Sequence, residues 1–260
     1  MDVDWELREA GPSDGEGTVL LLPGGMCSAG SYAEVMGEPA LARMRLVAAT
    51  LPGHAGAPPP DDYSIENYAH LAADLAKRVG ADVVVGFSMG GSVALEMVAS
   101  GGFAGPVVLL GISLSTKDEP AFFRAIVRLG SVLGSLPAAL LAKGAASMVK
   151  RISVSAERQA ELREDFGKNV PRHMRRGLDE YMRWLHRNQH PAQRLCEAGV
   201  PSWVVHAEKG DGGLTDDERR TLAACPNVHL VTLPGAVFFL PNEVPERIAG
   251  VILEAVGHAG

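Results

Sequence analysis

Short runs of β-branched and other apolar residues alternate with amphipathic stretches along most of this chain. Six runs are apolar almost throughout, as expected for strands buried on both faces of a parallel sheet: Val19 to Leu22, Leu46 to Ala49, Val83 to Val85, Val107 to Leu110, Trp203 to Val205 and His229 to Leu233. Stretches with one apolar face lie between or after them, at Ile65 to Val79, Ser92 to Ala99, Asp216 to Ala224 and Pro245 to Val256. This series predicts an α/β fold, a mainly parallel sheet with helices on both faces.

The alternation stops between about Ser115 and Leu195, where two long helical stretches carry no strand pattern. We expect a helical lid inserted at residues 115–195 into a core made of residues 1–114 and 196–260. Charge supports this division, because residues 120–190 have a net charge of +7 and the rest of the chain has −14. The basic charge predicts either a solvated helical face or the attraction of an anionic substrate or acidic partner.

Composition narrows the classes of function. A net charge of −7 leaves no overall basic surface, so we expect no nucleic-acid partner. The uncharged run from Met97 to Thr116 is broken by Gly101, Gly102, Gly105 and Pro106, so we expect no transmembrane helix and no membrane partner.

Cysteine usage and the first residues indicate the compartment. Cys27, Cys196 and Cys225 are odd in number and far apart in sequence, which argues against a disulfide framework and against a zinc site. We therefore expect no metal and no cofactor. The first ten residues are acidic and contain no apolar segment, so they do not look like a secretory signal. Together these features predict a cytoplasmic protein.

The sequence Gly86-Phe87-Ser88-Met89-Gly90 directly follows one predicted strand and precedes a predicted helix. In a G-x-S-x-G turn of this kind, the glycines let the strand bend sharply into the helix and lift the serine hydroxyl above the sheet edge. Free N–H groups at the start of that helix stabilise a negatively charged oxygen. Ser88 is therefore the candidate nucleophile, and the Met89 N–H is the first candidate donor of an oxyanion hole.

From about Thr18 to Val256 the chain resembles the α/β-hydrolase superfamily. The G-x-S-x-G turn carries the resemblance, and LLPGGMCSAGSY (21–32) is similar to the family's oxyanion loop. That resemblance implies a serine hydrolase acting on esters, with the Gly25 N–H as second oxyanion donor and the insert as lid. Pro23 stands where the family usually has a histidine at the head of the loop. Cys27, two residues beyond Gly25, is expected to be a small buried residue.

The acid and the base of the usual triad depart from the family pattern. After the strand ending at Val205 the family reads H-G-x-x-D, and this chain reads HAEKGD, so Asp211 lies one position late. Asp211 is the candidate acid, or else a solvated loop residue. After the last strand the family reads P-G-x-G-H-F, and Val237 and Phe238 occupy the last glycine and the histidine positions. A phenyl ring accepts no proton, so the usual base is missing.

Two other histidines are candidate bases. His54 follows the second of the six runs, and His206 ends the run that begins at Trp203, so both are expected at the sheet edge that carries Ser88. For each of them the structural role is the favoured alternative.

Two functions remain open on this sequence. The first is a hydrolase of a small ester, thioester or lactone, either neutral or anionic, with an atypical or incomplete triad. The second is a catalytically degenerate member of the superfamily that binds a small ligand or a partner in its lidded pocket. The intact serine turn favours the first, and Phe238 favours the second.

Overall fold

The computed structural model describes residues 4–152, 154–208, 213–236 and 239–259. Its strands form one sheet in the order β1-β3-β2-β4-β5-β6-β7, in which β1 pairs antiparallel with β3 and all other neighbours are parallel. The strands are β1 (Leu7–Ala10), β2 (Thr18–Leu22), β3 (Arg45–Ala49), β4 (Val83–Phe87), β5 (Val107–Leu110), β6 (Ser202–Ala207) and β7 (Val228–Leu233). The predicted α/β fold is confirmed, with all six predicted strands in place.

Helices connect the parallel strands. Those that pack on the sheet or close the fold are α1 (Ala33–Met36), α2 (Ile65–Val79), α3 (Met89–Ala99), α8 (Pro191–Ala198), α9 (Asp216–Ala223), α10 (Leu240–Glu243) and α11 (Pro245–Val256). Sequence signals define several ends. The Ser64 hydroxyl accepts from the Asn67 N–H at the start of α2, and Gly80, with φ 67°, ends that helix in the left-handed conformation.

Each face of the sheet carries its own apolar core. Along β4, Val84 packs in one core with α2, α3 and α8, whereas Val83 and Val85 pack in the other with α11. All three valines are fully buried, because alternate side chains of a central parallel strand point to opposite, covered faces. This burial explains why these strands are apolar throughout rather than alternating.

Between β5 and β6 the described chain is helical. It contains α4 (Ala121–Leu133), α5 (Leu136–Met148), α6 (Ala156–Gly167) and α7 (Pro171–Arg187), followed by α8. The expected absence of strands in this insert is confirmed for the described residues. The exact division into a core and a 115–195 lid stays a prediction, since Trp184 and Leu185 of α7 are buried in the same core as α3.

A buried ion pair fastens the insert to the core. Glu96 on α3 accepts two hydrogen bonds from the Arg194 guanidinium, at 2.8 and 2.9 Å, and one from the Trp184 indole at 3.0 Å. Burial by itself would raise the pKa of Glu96, but the hydrogen bonds from Arg194 and Trp184 outweigh it and lower that pKa. Two further cations of the insert reach core carboxylates, Arg158 to Glu34 and Arg187 to Glu66. Part of the insert's positive charge is therefore paired with carboxylates of the core.

The expectation that the cysteines form no disulfide is wrong for one pair. Cys196, on α8, and Cys225, just after α9, are joined by a disulfide with 5.6 Å between their Cα atoms. They are 29 residues apart in sequence, but α8 and α9 pack together beside β6. Cys27 is buried, as expected. The cytoplasmic location, which rested partly on the cysteines, stays a prediction. Within the described residues, no helix combines the length and apolar character needed to span a membrane.

Candidate active site

Ser88 occupies the sharp turn between β4 and α3. Its backbone has φ 50° and ψ −116°, a conformation that is costly for a residue with a side chain. Such strain costs on the order of 1–3 kcal/mol and persists only where the surrounding structure enforces it. The Ser88 N–H donates to the Leu110 carbonyl at 2.8 Å, which continues the β4–β5 pairing into the turn. Ser88 itself is half-buried at the head of α3.

The two flanking glycines are required by close backbone packing. A Cβ atom on Gly86 would collide with the Gly90 carbonyl, and one on Gly90 would collide with the Leu22 and Pro23 carbonyls. The G-x-S-x-G spacing thus lets α3 start directly against β2 and β4. This is the geometric reason for the motif read from the sequence.

The predicted oxyanion loop lies against this turn. A Cβ atom on Gly24 would lie 3.4 Å from the Ser88 Cβ, and one on Gly25 would lie 3.3 Å from the Met89 Sδ. The backbone at Gly25 and the side chain of Met89 are therefore neighbours. Met26 follows with φ 69°, so the loop turns through the left-handed conformation immediately after Gly25.

Two side chains hold the loop in this conformation. The Met26 N–H donates to Nδ1 of His54 at 2.9 Å, and the Met26 carbonyl accepts from Nδ2 of Asn169 at 2.8 Å. Oδ1 of Asn169 accepts from the Ala55 N–H at 2.9 Å. This one side chain therefore connects the insert to the oxyanion loop and to the loop after β3 that contains His54 and Ala55. Sequence reasoning missed Asn169, since it follows a charged helix and no local motif marks it.

His54 is buried and already engaged. Only 3% of its surface is exposed, and burial lowers its pKa from 6.5 to about 4. Because Nδ1 accepts the Met26 N–H, the proton of the neutral ring is on Nε2, which faces the Tyr68 hydroxyl at 3.5 Å. In this arrangement neither ring nitrogen offers a lone pair to Ser88, which favours the structural role for His54.

A sequence model of the alpha/beta hydrolase family matches residues 19–251 of this chain. The chain belongs to the α/β-hydrolase family. No curated protein matches it significantly in sequence. Solved structures match it over nearly their whole lengths, and two of the three examples below are described as esterases. One is a thermophilic esterase from Thermogutta terrifontis, with a TM-score of 0.76 and 18% identity, and the match covers 99% of this chain and 94% of that one. A second is MenH from S. aureus, with a TM-score of 0.74 and 17% identity, and coverage of 100% and 99%. A third is a putative aryl esterase from Burkholderia cenocepacia, with a TM-score of 0.73 and 17% identity, and coverage of 97% and 94%.

The other candidate residues of this α/β-hydrolase lie in or near the loops after β6 and β7. His206 is buried near the end of β6, in register with Thr232 of β7. Asp211 and Phe238, together with Val237, lie outside the described residues. The flanks of the two loops meet, because the Gly235 N–H donates to the Glu208 carboxylate at 3.0 Å. The described ends of these two loops, at Glu208 and Gly235, therefore lie side by side.

A carboxylate that sequence reasoning missed lies after β5. Asp118 is 2% exposed, and its Oδ2 accepts the Leu114 and Ser115 N–H groups, each at 2.8 Å. Burial, with the neighbouring charge of Glu218, raises its pKa from 3.8 to about 6 despite these hydrogen bonds. Its position after a strand end was the available signal.

A small, mostly apolar cavity of about 10 Å³, room for about one water molecule, adjoins the oxyanion loop and α6. Cys27 is part of its wall, together with Phe166 and Phe239. Burial, followed by the charge of Asp165, raises the pKa of the Cys27 thiol to about 12, so this cysteine stays protonated and is no nucleophile. The described residues contain no group of three or more His, Cys, Asp or Glu side chains arranged to hold a metal ion.

Proposed function

We propose that this α/β-hydrolase cleaves small thioesters and activated esters, with Ser88 as the nucleophile. The observation that carries the proposal is the strained backbone of Ser88 at the head of α3, with the Gly24-Gly25 loop against it. A protein that only binds a ligand has no need to maintain strain of this size at a serine.

The proposed reaction begins with attack of the Ser88 Oγ on the substrate carbonyl carbon, while the hydroxyl proton passes to solvent water. The negative charge that develops on the carbonyl oxygen is stabilised by the Met89 and Gly25 N–H groups and by the positive end of α3. Collapse of this tetrahedral intermediate expels the leaving group and leaves an acyl group on Ser88. Attack by water on the acyl carbon then releases the carboxylic acid and restores the serine.

The weak point of this site is proton transfer. His54 has no lone pair available in this geometry, and His206 lies on β6, two strands from β4. Strands are about 4.8 Å apart, so the backbones of β4 and β6 are separated by about 10 Å. Asp211 is still proposed as a carboxylate of the site, but it has no assigned histidine to orient. Without a base the oxyanion hole and binding retain about 10³- to 10⁴-fold of catalysis over water.

This deficit defines the substrate class. When no acid protonates the leaving group, it must depart as an anion, and its own pKa then limits the rate. A thiol with a pKa of about 8.5 or a phenol with a pKa of about 10 leaves far more easily than an aliphatic alcohol. We therefore expect thioesters and aryl esters to be cleaved and simple alkyl esters to be cleaved very slowly.

An anionic substrate is a further part of the proposal, but the structure reduces the charge available for it. Arg158, Arg187 and Arg194 of the basic insert are paired with core carboxylates. We expect only a small preference for anionic substrates, which added salt should remove.

The test compares hydrolysis of 4-nitrophenyl acetate, an acetyl thioester and ethyl acetate by the wild type and by Ser88→Ala. Ser92→Ala is the matched control, since Ser92 is one turn further along α3 and is fully buried. We expect Ser88→Ala to abolish turnover of the first two substrates and Ser92→Ala to retain it. Turnover that survives in Ser88→Ala would contradict the role of Ser88 as the nucleophile. A wild type that turns over none of the three substrates would favour the alternative, a degenerate member of the family that binds a ligand or partner.

A further inference from the structure

The outer surface of α4 and α5 is apolar and contributes nothing to the candidate active site. Eight large apolar side chains of the described residues are strongly exposed. Five of them lie in one stretch of 19 residues inside the insert. We call these five side chains the apolar patch. With exposed fractions of 50% to 61%, they are Phe122, Leu129, Leu133, Leu136 and Leu140.

The patch follows the geometry of two helices. Phe122, Leu129 and Leu133 are spaced by seven and four residues, which places them along one stripe of α4. Leu136 and Leu140 are four residues apart on α5, which packs beside α4. The inner faces of the two helices contact α7, and α5 also contacts α6. Each helix thus has one face buried in the insert and an apolar stripe exposed.

Within the chain segment that forms the patch, the charge has a single sign. From Pro120 to Ser155 the chain contains five cations and no Asp or Glu. Four of these cations are exposed, namely Arg124, Arg128, Lys143 and Lys150. In the core the surface charge is mostly acidic, so this cationic and apolar surface differs from the rest of the molecule.

We propose that the exposed face of α4 and α5 binds the surface of an anionic lipid membrane. Helices that lie in a membrane interface have Phe and Leu on one face and Lys or Arg beside them, so that the apolar side chains enter the acyl boundary while the cations meet anionic headgroups. This mode needs no spanning helix. The sequence led us to expect no membrane partner. The proposal departs from that expectation and keeps only the part of it that concerns a membrane-spanning segment.

Charge complementarity selects the lipid surface over a second copy of the chain. A twofold dimer through this face would bring the segment 120–155 of one copy against the same segment of the other. That segment contains five cations and no carboxylate, so the net charges of the two copies repel each other. A specific protein partner also requires about ten hydrogen bonds, and the exposed described side chains of α4 and α5 are apolar or cationic.

Cosedimentation of the full chain with vesicles tests the proposal. One set of vesicles is pure phosphatidylcholine, and the other contains about one-third phosphatidylglycerol. We expect binding to the anionic vesicles, at least about tenfold weaker binding to the neutral ones, and a loss of binding when salt is raised from about 0.05 to about 0.5 M.

Two double variants separate the apolar and the ionic contributions. Phe122→Ser with Leu129→Ser should weaken binding by about tenfold or more, because two large side chains no longer enter the interface. Arg128→Gln with Lys143→Gln should weaken it by about 25-fold, from about fivefold per cation. Leu7→Ser is the matched control, since Leu7 is 40% exposed on the edge strand β1, and its binding should equal that of the wild type. All substituted positions are exposed, so the variants should remain folded.

Three results would overturn the proposal. Equal binding to neutral and anionic vesicles would exclude the role of the cations. Unchanged binding by both double variants would place the lipid contact elsewhere. A wild type that is dimeric without lipid, together with a monomeric Phe122→Ser/Leu129→Ser variant, would assign the patch to a second copy of the chain.

Discussion

The Asn169 side chain should support both the stability of the fold and the position of the oxyanion loop. It is 7% exposed, accepts the Ala55 N–H at 2.9 Å and donates to the Met26 carbonyl at 2.8 Å. Substitution by alanine leaves both backbone groups without these partners. An unsatisfied buried group costs about 1–3 kcal/mol, so Asn169→Ala should lower the free energy of unfolding by about 2–4 kcal/mol, less where water enters the space.

The functional effect follows from the position of Met26, directly after Gly25. A displacement of about 1 Å in a positioning element costs about 10²-fold in rate, so a partial shift of the Gly25 N–H should lower kcat/KM for an aryl ester by about 10- to 100-fold. Urea denaturation gives the stability, and hydrolysis of 4-nitrophenyl acetate gives kcat/KM. Since Asn169 contacts no reacting atom, most of the loss should fall on kcat.

Asn227→Ala is the matched control. Asn227 donates one hydrogen bond, to the Val200 carbonyl at 3.0 Å, and it precedes β7 at the amino edge of the sheet. We expect a loss of about 1 kcal/mol and no change in kcat/KM. If Asn169→Ala loses stability but keeps its full kcat/KM, the side chain does not position the oxyanion loop, and the reasoning is refuted.

Three further predictions follow from the buried charges and the missing histidine. Glu96→Gln should lower the unfolding free energy by about 2–3 kcal/mol at pH 7. Because the pKa of Glu96 is lowered in the fold, the difference in unfolding free energy between this variant and the wild type should shrink as pH falls below 4.5, as measured by urea titrations. Asp118 should show the opposite pH dependence, because its pKa is raised to about 6 and its ionisation therefore destabilises the fold. As pH rises from 4 to 7, the unfolding free energy of Asp118→Asn should increase relative to that of the wild type by on the order of 2 kcal/mol. A flat difference over that range would contradict this assignment. Wild-type aryl-ester hydrolysis should be slow and nearly independent of pH between about 6 and 8. Phe238→His should raise the rate of hydrolysis by about 10² and make it depend on pH. A pH–rate profile of the wild type with a pKa near 6.5 would contradict this prediction, because it would reveal a base already present.

The architecture and the turn that carries the serine could both be predicted from the sequence alone. Val83 to Val85 could be placed in a central strand because full burial on two faces leaves only apolar residues there. Gly86 and Gly90 could be assigned to a tight turn because no other residue fits against the carbonyls they approach. These features depend on periodicity and on backbone sterics, which act between neighbouring residues.

Other features were decided only by the tertiary structure. β1 is short and mostly exposed, so it has no apolar pattern to predict it. Cys196 meets Cys225 because α8 packs on α9, and Asn169 reaches Met26 across 143 residues of sequence. The state of His54 likewise depends on which group meets its Nδ1 and on how deeply the ring is buried. Hydrogen bonds and desolvation of this kind arise from packing between distant segments, and no local pattern of residues records them.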